Sequence, residues 1–285
     1  MCVDLHLHSL YSDGSATPLE LAELAVRNKL TGIALTDHDT VDGVAEILAH
    51  GRNLGLTVIP GLELSAVHRE FTLHILGYGF DHTSSEFTQW LEPLQKSRQE
   101  RNAKILAKMR QLGLDVHEDE VQAISRCGQT GRPHIARLLL NKGIVDSLGQ
   151  AFHQYLRRGA PAWFSRFAYS AAESIDMIHQ AGGLAVLAHP GQLDPELKIL
   201  PLLIPELVER GLDGLEVHYP THPADVQRRL FTLARKYNLV VTGGSDYHGK
   251  NRNMSVMAGS GNGFCPPDTI LAALAARREL LAGGA

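Results

Sequence analysis

Apolar runs of strand length recur from one end of the chain to the other, and most of them close on a histidine, aspartate or glutamate. Asp4-Leu5-His6-Leu7-His8 alternates polar and apolar positions with a period of two. In a strand that period aims both imidazoles to one side. Asp13 follows just past the strand, in a turn set by Gly14. Ile33-Ala34-Leu35-Thr36 leads to His38, Val58-Ile59-Pro60-Gly61-Leu62 leads to Glu63, and the run from Thr72 to Gly77 carries His74. Later, Leu184 to Ala188 ends in His189, Leu212 to Val217 in His218, and Leu239 to Gly243 in Asp246 and His248. Parallel strands alternating with helices gather their C-terminal ends, where a barrel of this kind places its chemistry.

The strand pattern stops between the fourth run and the fifth. From about residue 85 to residue 162 the periodicity is helical, with segments over Phe87 to Leu112, Glu118 to Ile124, Pro133 to Lys142 and Leu148 to Arg157. Lys96, Arg98, Arg101, Lys104, Lys108 and Arg110 make the first of these strongly basic, and most of them are expected to be solvated. Residues 1–84 and 163–285 then form the barrel domain, and 85–162 form a helical insertion placed to act as lid and specificity element.

Composition narrows the class without changing that picture. A chain of 285 residues with 44% hydrophobic content can bury a sizeable core, and its length fits one barrel with an insertion. No apolar run approaches the ~20 residues needed to cross a bilayer, and the first strand begins at once, with no signal peptide, so a cytoplasmic protein is expected. Cys2, Cys127 and Cys265 show no paired spacing and are expected to be reduced thiols. The net charge of −4 argues against a broad basic surface for long nucleic acid.

A single histidine at a strand end is more often a hydrogen-bonded structural residue than a ligand. Nine such groups, His6, His8, Asp13, His38, Glu63, His74, His189, Asp246 and His248, are harder to explain separately, because each would bury a polar group needing its own partner. Together they indicate a site for several divalent ions. Imidazole and carboxylate without thiolate suit Mn²⁺, Fe²⁺ or Zn²⁺; Mn²⁺ is the expected ion. Asp4, on the same strand face as His6, is expected to orient a ligand rather than bind metal.

The series Asp4 to His8, Ser12-Asp13-Gly14, Thr36 to Asp39, Pro60 to Glu63, His74, Ala188-His189-Pro190 and Gly244 to His248 resembles the PHP (polymerase and histidinol phosphatase) family of metal-dependent phosphoesterases. The resemblance implies a distorted barrel of seven β/α units, related to the amidohydrolases, holding two or three divalent ions. It places His6, His8, Glu63 and Asp246 on one ion, Glu63, His74 and His189 on a second, and Asp13, His38 and His248 on a third. Glu63 and Asp246 would serve catalysis as ligands of the reacting centre. His218 is no ligand position in the family pattern, which leaves it free to contact phosphate or protonate the leaving oxygen.

Within the insertion, Pro133 suits the first turn of a helix, so Arg132 would stand at a helix entrance that favours anions. Gly131 to Arg137, followed by Tyr155 to Ala162, is similar to the PHP branch of nucleotide phosphatases and 5′-to-3′ exoribonucleases. That similarity implies that Arg132, His134 and Arg158 hold a 5′-phosphate. The expected activity is removal of the 3′-phosphate from nucleoside 3′,5′-bisphosphates by hydroxide held between the ions, without a phospho-enzyme. Exonucleolytic cleavage of short 5′-phosphorylated RNA is the nearest alternative, followed by histidinol phosphatase activity and by a non-catalytic metal-binding module.

Overall fold

The computed structural model describes residues 1–125, 129–251, 256–261 and 263–283. Strand β1 (Cys2–Leu7) is followed by helix α1 (Pro18–Arg27), β2 (Leu30–Leu35), α2 (Val44–Leu54), β3 (Thr57–His68) and β4 (Phe71–Tyr78). Four helices come next: α3 (Ser85–Gln111), α4 (Glu118–Ser125), α5 (Arg132–Asn141) and α6 (Leu148–Ala151), the last running into a π-helical turn at Phe152–Leu156. The chain then returns through β5 (Tyr169–Ser170), α7 (Ala171–Gln180), β6 (Leu184–Leu187), α8 (Pro190–Leu193), α9 (Leu200–Glu209), β7 (Gly214–His218), α10 (Ala224–Lys236) and β8 (Val240–Gly243) to α11 (Thr269–Gly283).

Local signals set these boundaries. Thr17 caps α1, accepting from the Glu20 N–H while the Glu20 carboxylate accepts from the Thr17 N–H, and Pro18 follows at the first helical position. Ser170 and Glu173 repeat the device on α7. Gly55, at φ 66°, ends α2 in the left-handed conformation that glycine adopts without steric cost.

The sheet runs β1-β2-β3-β4-β6-β7-β8, with the short β5 paired to the far end of β3. All neighbours are parallel except at β4, which is antiparallel to both β3 and β6. That reversed strand distorts the expected barrel, and it brings the N-terminal half of β4 to the C-terminal ends of the others. His74 therefore sits early in its strand, and Glu63 lies inside β3 rather than at its end. The edges of the sheet approach through a parallel bridge between Leu7 and Tyr247, with the His8 N–H donating to the Tyr247 carbonyl at 2.9 Å.

Two apolar clusters matter for the site. Ile270 and Leu274 of α11 pack with Val3, Leu5, Ala34, Leu76, Tyr78, Leu184 and Val186 of the sheet. A separate core lies wholly between Ile105 and Ala162, where Met109, Val121, Ile135, Leu139, Ala151 and Leu156 are buried together. Helices α3 to α6 are thus joined by their own apolar contacts.

One expectation is corrected. Cys2 and Cys265 form a disulfide, their Cα atoms 5.1 Å apart. The antiparallel bridge between Cys2 and Pro267, and the Val3 N–H bonded to the Pro266 carbonyl, lay the two ends of the chain side by side. No sequence spacing could show a pairing across 263 residues. Cys127 lies outside the described residues. No described helix is long and apolar enough to cross a membrane.

Candidate metal centre

Glu63 stands at the middle of the ligand groups. Its Oε1 is 2.7 Å from His74 Nδ1 and 3.0 Å from His189 Nε2, and those two nitrogens are 3.3 Å apart. Its Oε2 is 3.4 Å from His6 Nε2, 3.3 Å from His8 Nε2 and 3.0 Å from His38 Nδ1. Asp246 Oδ1 lies 3.6 Å from His6 Nε2 and 3.2 Å from His8 Nε2. Asp13 approaches His248 Nε2 at 3.2 Å and His38 Nε2 at 3.8 Å. The turn that holds Asp13 needs Gly14, because a Cβ there would stand 2.1 Å from the His8 carbonyl oxygen.

Three overlapping ligand sets result: His6, His8, Glu63 and Asp246; His8, Asp13, His38 and His248; and His38, Glu63 and His74. The first matches the grouping implied by the family resemblance. The second adds His8 to the expected trio, and His189 joins Glu63 and His74 through the distances just given. Metal–ligand bonds of about 2.1 Å give ligand–ligand edges of roughly 3.0 to 3.4 Å for octahedral or tetrahedral ions. Most of the observed spacings fall in that range, with Glu63–His74 shorter at 2.7 Å and His6–Asp246 and His38–Asp13 longer at 3.6 and 3.8 Å. His6 Nε2, His8 Nε2, His38 Nδ1 and Glu63 Oε2 are all buried without a hydrogen-bond partner. Each would cost about 1–3 kcal/mol if nothing else met it, so the donor set is one that divalent ions complete.

Burial alone would neutralise every group here, but the groups oppose it in pairs. Burial would lower His6, yet Glu216, Glu63 and Asp246 hold it well above the ordinary imidazole value. His8 is likewise disfavoured as a cation by burial, and contacts with Asp246 and Glu63 raise it to about 10. Burial would raise Asp13 and Glu63, but His248 and His38 hold Asp13, and His74, His38 and His6 hold Glu63, well below the usual carboxylate range. Burial dominates at His38, which falls to about 4.

Buried carboxylates hold the strands and turns that carry these groups. Glu216, fully buried in β7, contacts His6 Nδ1 at 2.9 Å and accepts from the His189 N–H at 2.7 Å. It thereby turns His6 Nε2 toward the centre. Asp4 accepts from the Ser245 and Ala258 N–H groups at 2.8 and 2.9 Å, tying β1 to the loop that carries Asp246 and His248; burial raises its carboxyl to about 6. Asp37 holds Ser9 and Ser12 beside Asp13. The Tyr219 hydroxyl donates to Asp246 Oδ2 at 2.7 Å, and the Gln192 side chain donates to Tyr219 in turn. Three of the residues involved, Asp39, His189 and Asp246, hold positive φ values of 55°, 29° and 53°, strain typical of functional turns. Glu216, Tyr219 and Gln192 were not read from the sequence; a lone glutamate inside the apolar run Leu215-Glu216-Val217 was the available signal. Replacing Glu216 with alanine should weaken metal affinity about 10- to 100-fold, measured by chelator competition, with Glu216→Gln falling between. Unchanged affinity in Glu216→Ala would remove the orienting role.

The structure does not bring His218 to this centre. Its half-buried ring packs edge-on against Phe231, with centroids 5.3 Å apart, because a register irregularity after Glu216 turns the end of β7 outward. Tyr219, the next residue, faces the ligands instead.

Arg132, Pro133 and Phe152 separate two cavities of about 560 and 530 Å³, both of which reach Asp13, His38 and His74. Arg158 lines the second. His134 is buried behind the helix entrance, its Nδ1 accepting from the Gly131 N–H at 3.0 Å. Burial lowers it to about 4, so the neutral ring carries its proton on Nε2, which has no partner. Arg98 and Arg101, two of the six basic residues of which most were expected in solvent, are buried at 7% and 5% exposure. Here α3 turns its basic face toward the second cavity.

Side chains able to hold divalent ions and guanidinium groups line one cavity, a combination suited to an anionic ester and to metal-dependent phosphoesterase chemistry. Residues 4–168 match the PHP domain, and the chain belongs to that family. It is 33% identical to a 5′-3′ exoribonuclease of Escherichia coli over 86% of this chain and 84% of that one. It is 31% identical to a 3′,5′-nucleoside bisphosphate phosphatase of Chromobacterium violaceum over 86% of this chain and 87% of that one. A metal-dependent phosphoesterase structure from Bifidobacterium adolescentis superposes with a TM-score of 0.88 at 29% identity, covering 96% of each chain.

Proposed function

We propose that the protein removes the 3′-phosphate of nucleoside 3′,5′-bisphosphates, such as adenosine 3′,5′-bisphosphate, to give the 5′-monophosphate. The observation that carries this reading is the shared cavity: Asp13, His38 and His74 line the same space of about 530 Å³ as Arg132 and Arg158. The relative of that name from Chromobacterium violaceum supports it. Divalent ions, with Mn²⁺ proposed, would be held by the clustered His, Asp and Glu side chains and would supply charge to neutralise the phosphoryl oxygens and acidify water. The ligand side chains hold the 3′-phosphate end. Arg132, half-buried, keeps one N–H on the Leu156 carbonyl at 3.3 Å and has further donors for a 5′-phosphate, and Arg158 lines the same cavity; His134, buried and lining neither cavity, accepts from the Gly131 N–H and so fixes the helix entrance that carries Arg132. Helices α3 to α6 act as the specificity unit over the barrel.

Hydrolysis of short 5′-phosphorylated RNA is the second reading, favoured by the Escherichia coli relative and by the other cavity, of about 560 Å³, that opens beside Arg132. Cytoplasmic residence stays part of the proposal; the Cys2–Cys265 disulfide is the feature more usual outside that compartment.

A panel of adenosine 3′,5′-bisphosphate, adenosine 3′-monophosphate, 5′-phosphorylated oligoribonucleotides and histidinol phosphate tests the assignment. The bisphosphate should have the highest kcat/KM. Arg132→Ala should lower its advantage over the 3′-monophosphate roughly 30- to 150-fold, the worth of a bidentate charged contact. A wild type that prefers RNA or histidinol phosphate overturns the reading.

A further inference from the structure

A further cavity, of about 630 Å³, is lined jointly by the insertion, which contributes Ile124, Ser125 and Arg137, and by turns of the barrel domain, which contribute Ser15, Tyr247 and Lys250. Its lining continues from two ligand turns. Asp13 runs directly into Gly14 and Ser15, His248 runs directly into Gly249, Lys250 and Asn251, and Asn251 lines both this cavity and the one of about 560 Å³ that reaches the ligand groups. The Asn251 side-chain amide donates to the Asp13 and Gly14 carbonyls at 3.0 Å each, and the Lys250 N–H donates to the Ser15 hydroxyl at 2.8 Å, so the two turns form one surface. Gly249 permits that contact. At φ 62° it has no Cβ, and a Cβ there would stand 2.1 Å from Ser15 Oγ.

Charge in this cavity is unbalanced. Arg27, Arg137 and Lys250 line it against one carboxylate among its described lining residues, Glu20, which already accepts from the Thr17 N–H. Arg137 donates to the Lys250 carbonyl, and neither Arg137 nor Lys250 has an ion-pair partner among the described residues. Arg27 has Glu23 at 3.7 Å, an exposed contact of little worth. Leu10, Leu24 and the half-buried Tyr247 ring set apolar and aromatic surface beside these cations. Cations for a phosphate backbone next to an aromatic face for bases are what single-stranded nucleic acid requires, whereas a small anion would leave the apolar surface uncovered. A long duplex would need a broad basic surface, against the net charge of −4. Helix α5 links the two regions, with Arg132 at its first residue lining the ligand cavities and Arg137, about 7.5 Å further along the axis, lining this one.

We propose that this groove holds the strand 3′ of the scissile phosphate in a single-stranded RNA substrate, with Arg137 and Lys250 on its phosphates and the Tyr247 ring against a base. This rests on the second reading of function, hydrolysis of 5′-phosphorylated RNA, and deepens it by making the substrate an oligonucleotide gripped on both sides of the bond that is cut. The water oxygen bonds to phosphorus, the bond from phosphorus to the 3′-oxygen of the first nucleotide breaks, and that oxygen takes a proton. The phosphate therefore stays with the strand in the groove. A nucleoside 3′,5′-bisphosphate ends at its 3′-phosphate and leaves the groove unfilled, so Arg137 and Lys250 separate two classes of substrate that share one centre.

The experiment compares metal-loaded wild type with Arg137→Gln, Lys250→Gln and the double variant. Values of kcat/KM are measured for 5′-phosphorylated pentaadenylate, 5′-phosphorylated diadenylate and adenosine 3′,5′-bisphosphate over a range of salt concentrations. Wild type should favour the pentamer over the dimer by about 10-fold. The double variant should lose about 10- to 30-fold on the pentamer, mainly through KM, lose less on the dimer, and stay within about twofold on the bisphosphate. Its salt dependence on the pentamer should flatten by roughly 0.7 in log–log slope for each phosphate contact removed. Equal losses on pentamer and bisphosphate mean that the substitutions act through His248, and they overturn the groove, as does an unchanged pentamer rate. If wild type cuts no RNA, fluorescence anisotropy of a labelled 5′-phosphorylated pentaadenylate decides. Binding that weakens at least about 10-fold in the double variant keeps the groove while the hydrolysis reading falls, and equal binding by both proteins, or none by wild type, overturns the groove as well.

Discussion

Glu63→Ala is expected to lose activity by roughly 10³-fold or more, about 4 kcal/mol of barrier, together with most of the bound metal. Among the described residues no other ligand side chain meets so many histidines: its two oxygens face His74 and His189 on one side and His6, His8 and His38 on the other. Any single histidine replacement should remove less metal, because each imidazole serves fewer neighbours. Elemental analysis and phosphatase assay on the same preparations make the comparison. Loading should also release protons, since ions displace the proton that Asp246 and Glu63 retain on His8 up to about pH 10. Binding therefore tightens as pH rises toward that value. Active Glu63→Ala protein with its full metal content would refute the bridging role.

Asp39→Asn should be the most damaging single change to stability, at about 3–5 kcal/mol against a usual total of about 5–15. The carboxylate is fully buried, bonds the Ser65 N–H at 2.8 Å and faces both Arg98 and Arg166, so its loss leaves two buried cations without a counter-charge. Burial alone would raise this carboxyl, but Arg166 and Arg98 hold it well below the usual range. A depressed folded value means that its contribution is complete above the unfolded value of about 4 and is lost as pH falls below it. Urea titrations at neutral pH should show the whole deficit, and the gap between wild type and variant should narrow in acid. A constant gap across that range would contradict the ion-pair account.

The clustering of the candidate ligands was legible in the sequence because metal chemistry restricts residue type, and strand ends announce themselves through apolar runs closing on His189 or on Asp246 and His248. The insertion was legible as a change of period, and its helices lie within a few residues of expectation, except that the last becomes a π-helical turn at Phe152–Leu156. Direction was not legible. Nothing in Phe71 to Tyr78 distinguishes a reversed strand from a parallel one, and at the end of β7 a local irregularity exchanged His218 for Tyr219 at the centre. Arg98 and Arg101 look like solvated charges on a basic helix, because their burial depends on Asp39 and on a cavity assembled from distant segments. The Cys2–Cys265 pairing was hidden for the same reason.

The reversal of β4 also bears on the order in which the chain assembles. β3 and β4 form a hairpin paired from Gly61 with Tyr78 to His68 with Phe71, turning through Arg69 and Glu70 with Arg69 at φ 54°. Closing so short a loop costs little chain entropy and is fast, whereas joining β1 to the segment after β8 requires almost the whole polypeptide to be in place. Glu63 and His74 ride on that hairpin, so one corner of the candidate metal centre can exist before the rest of the sheet around it, and the remaining groups are added to it as synthesis and folding proceed.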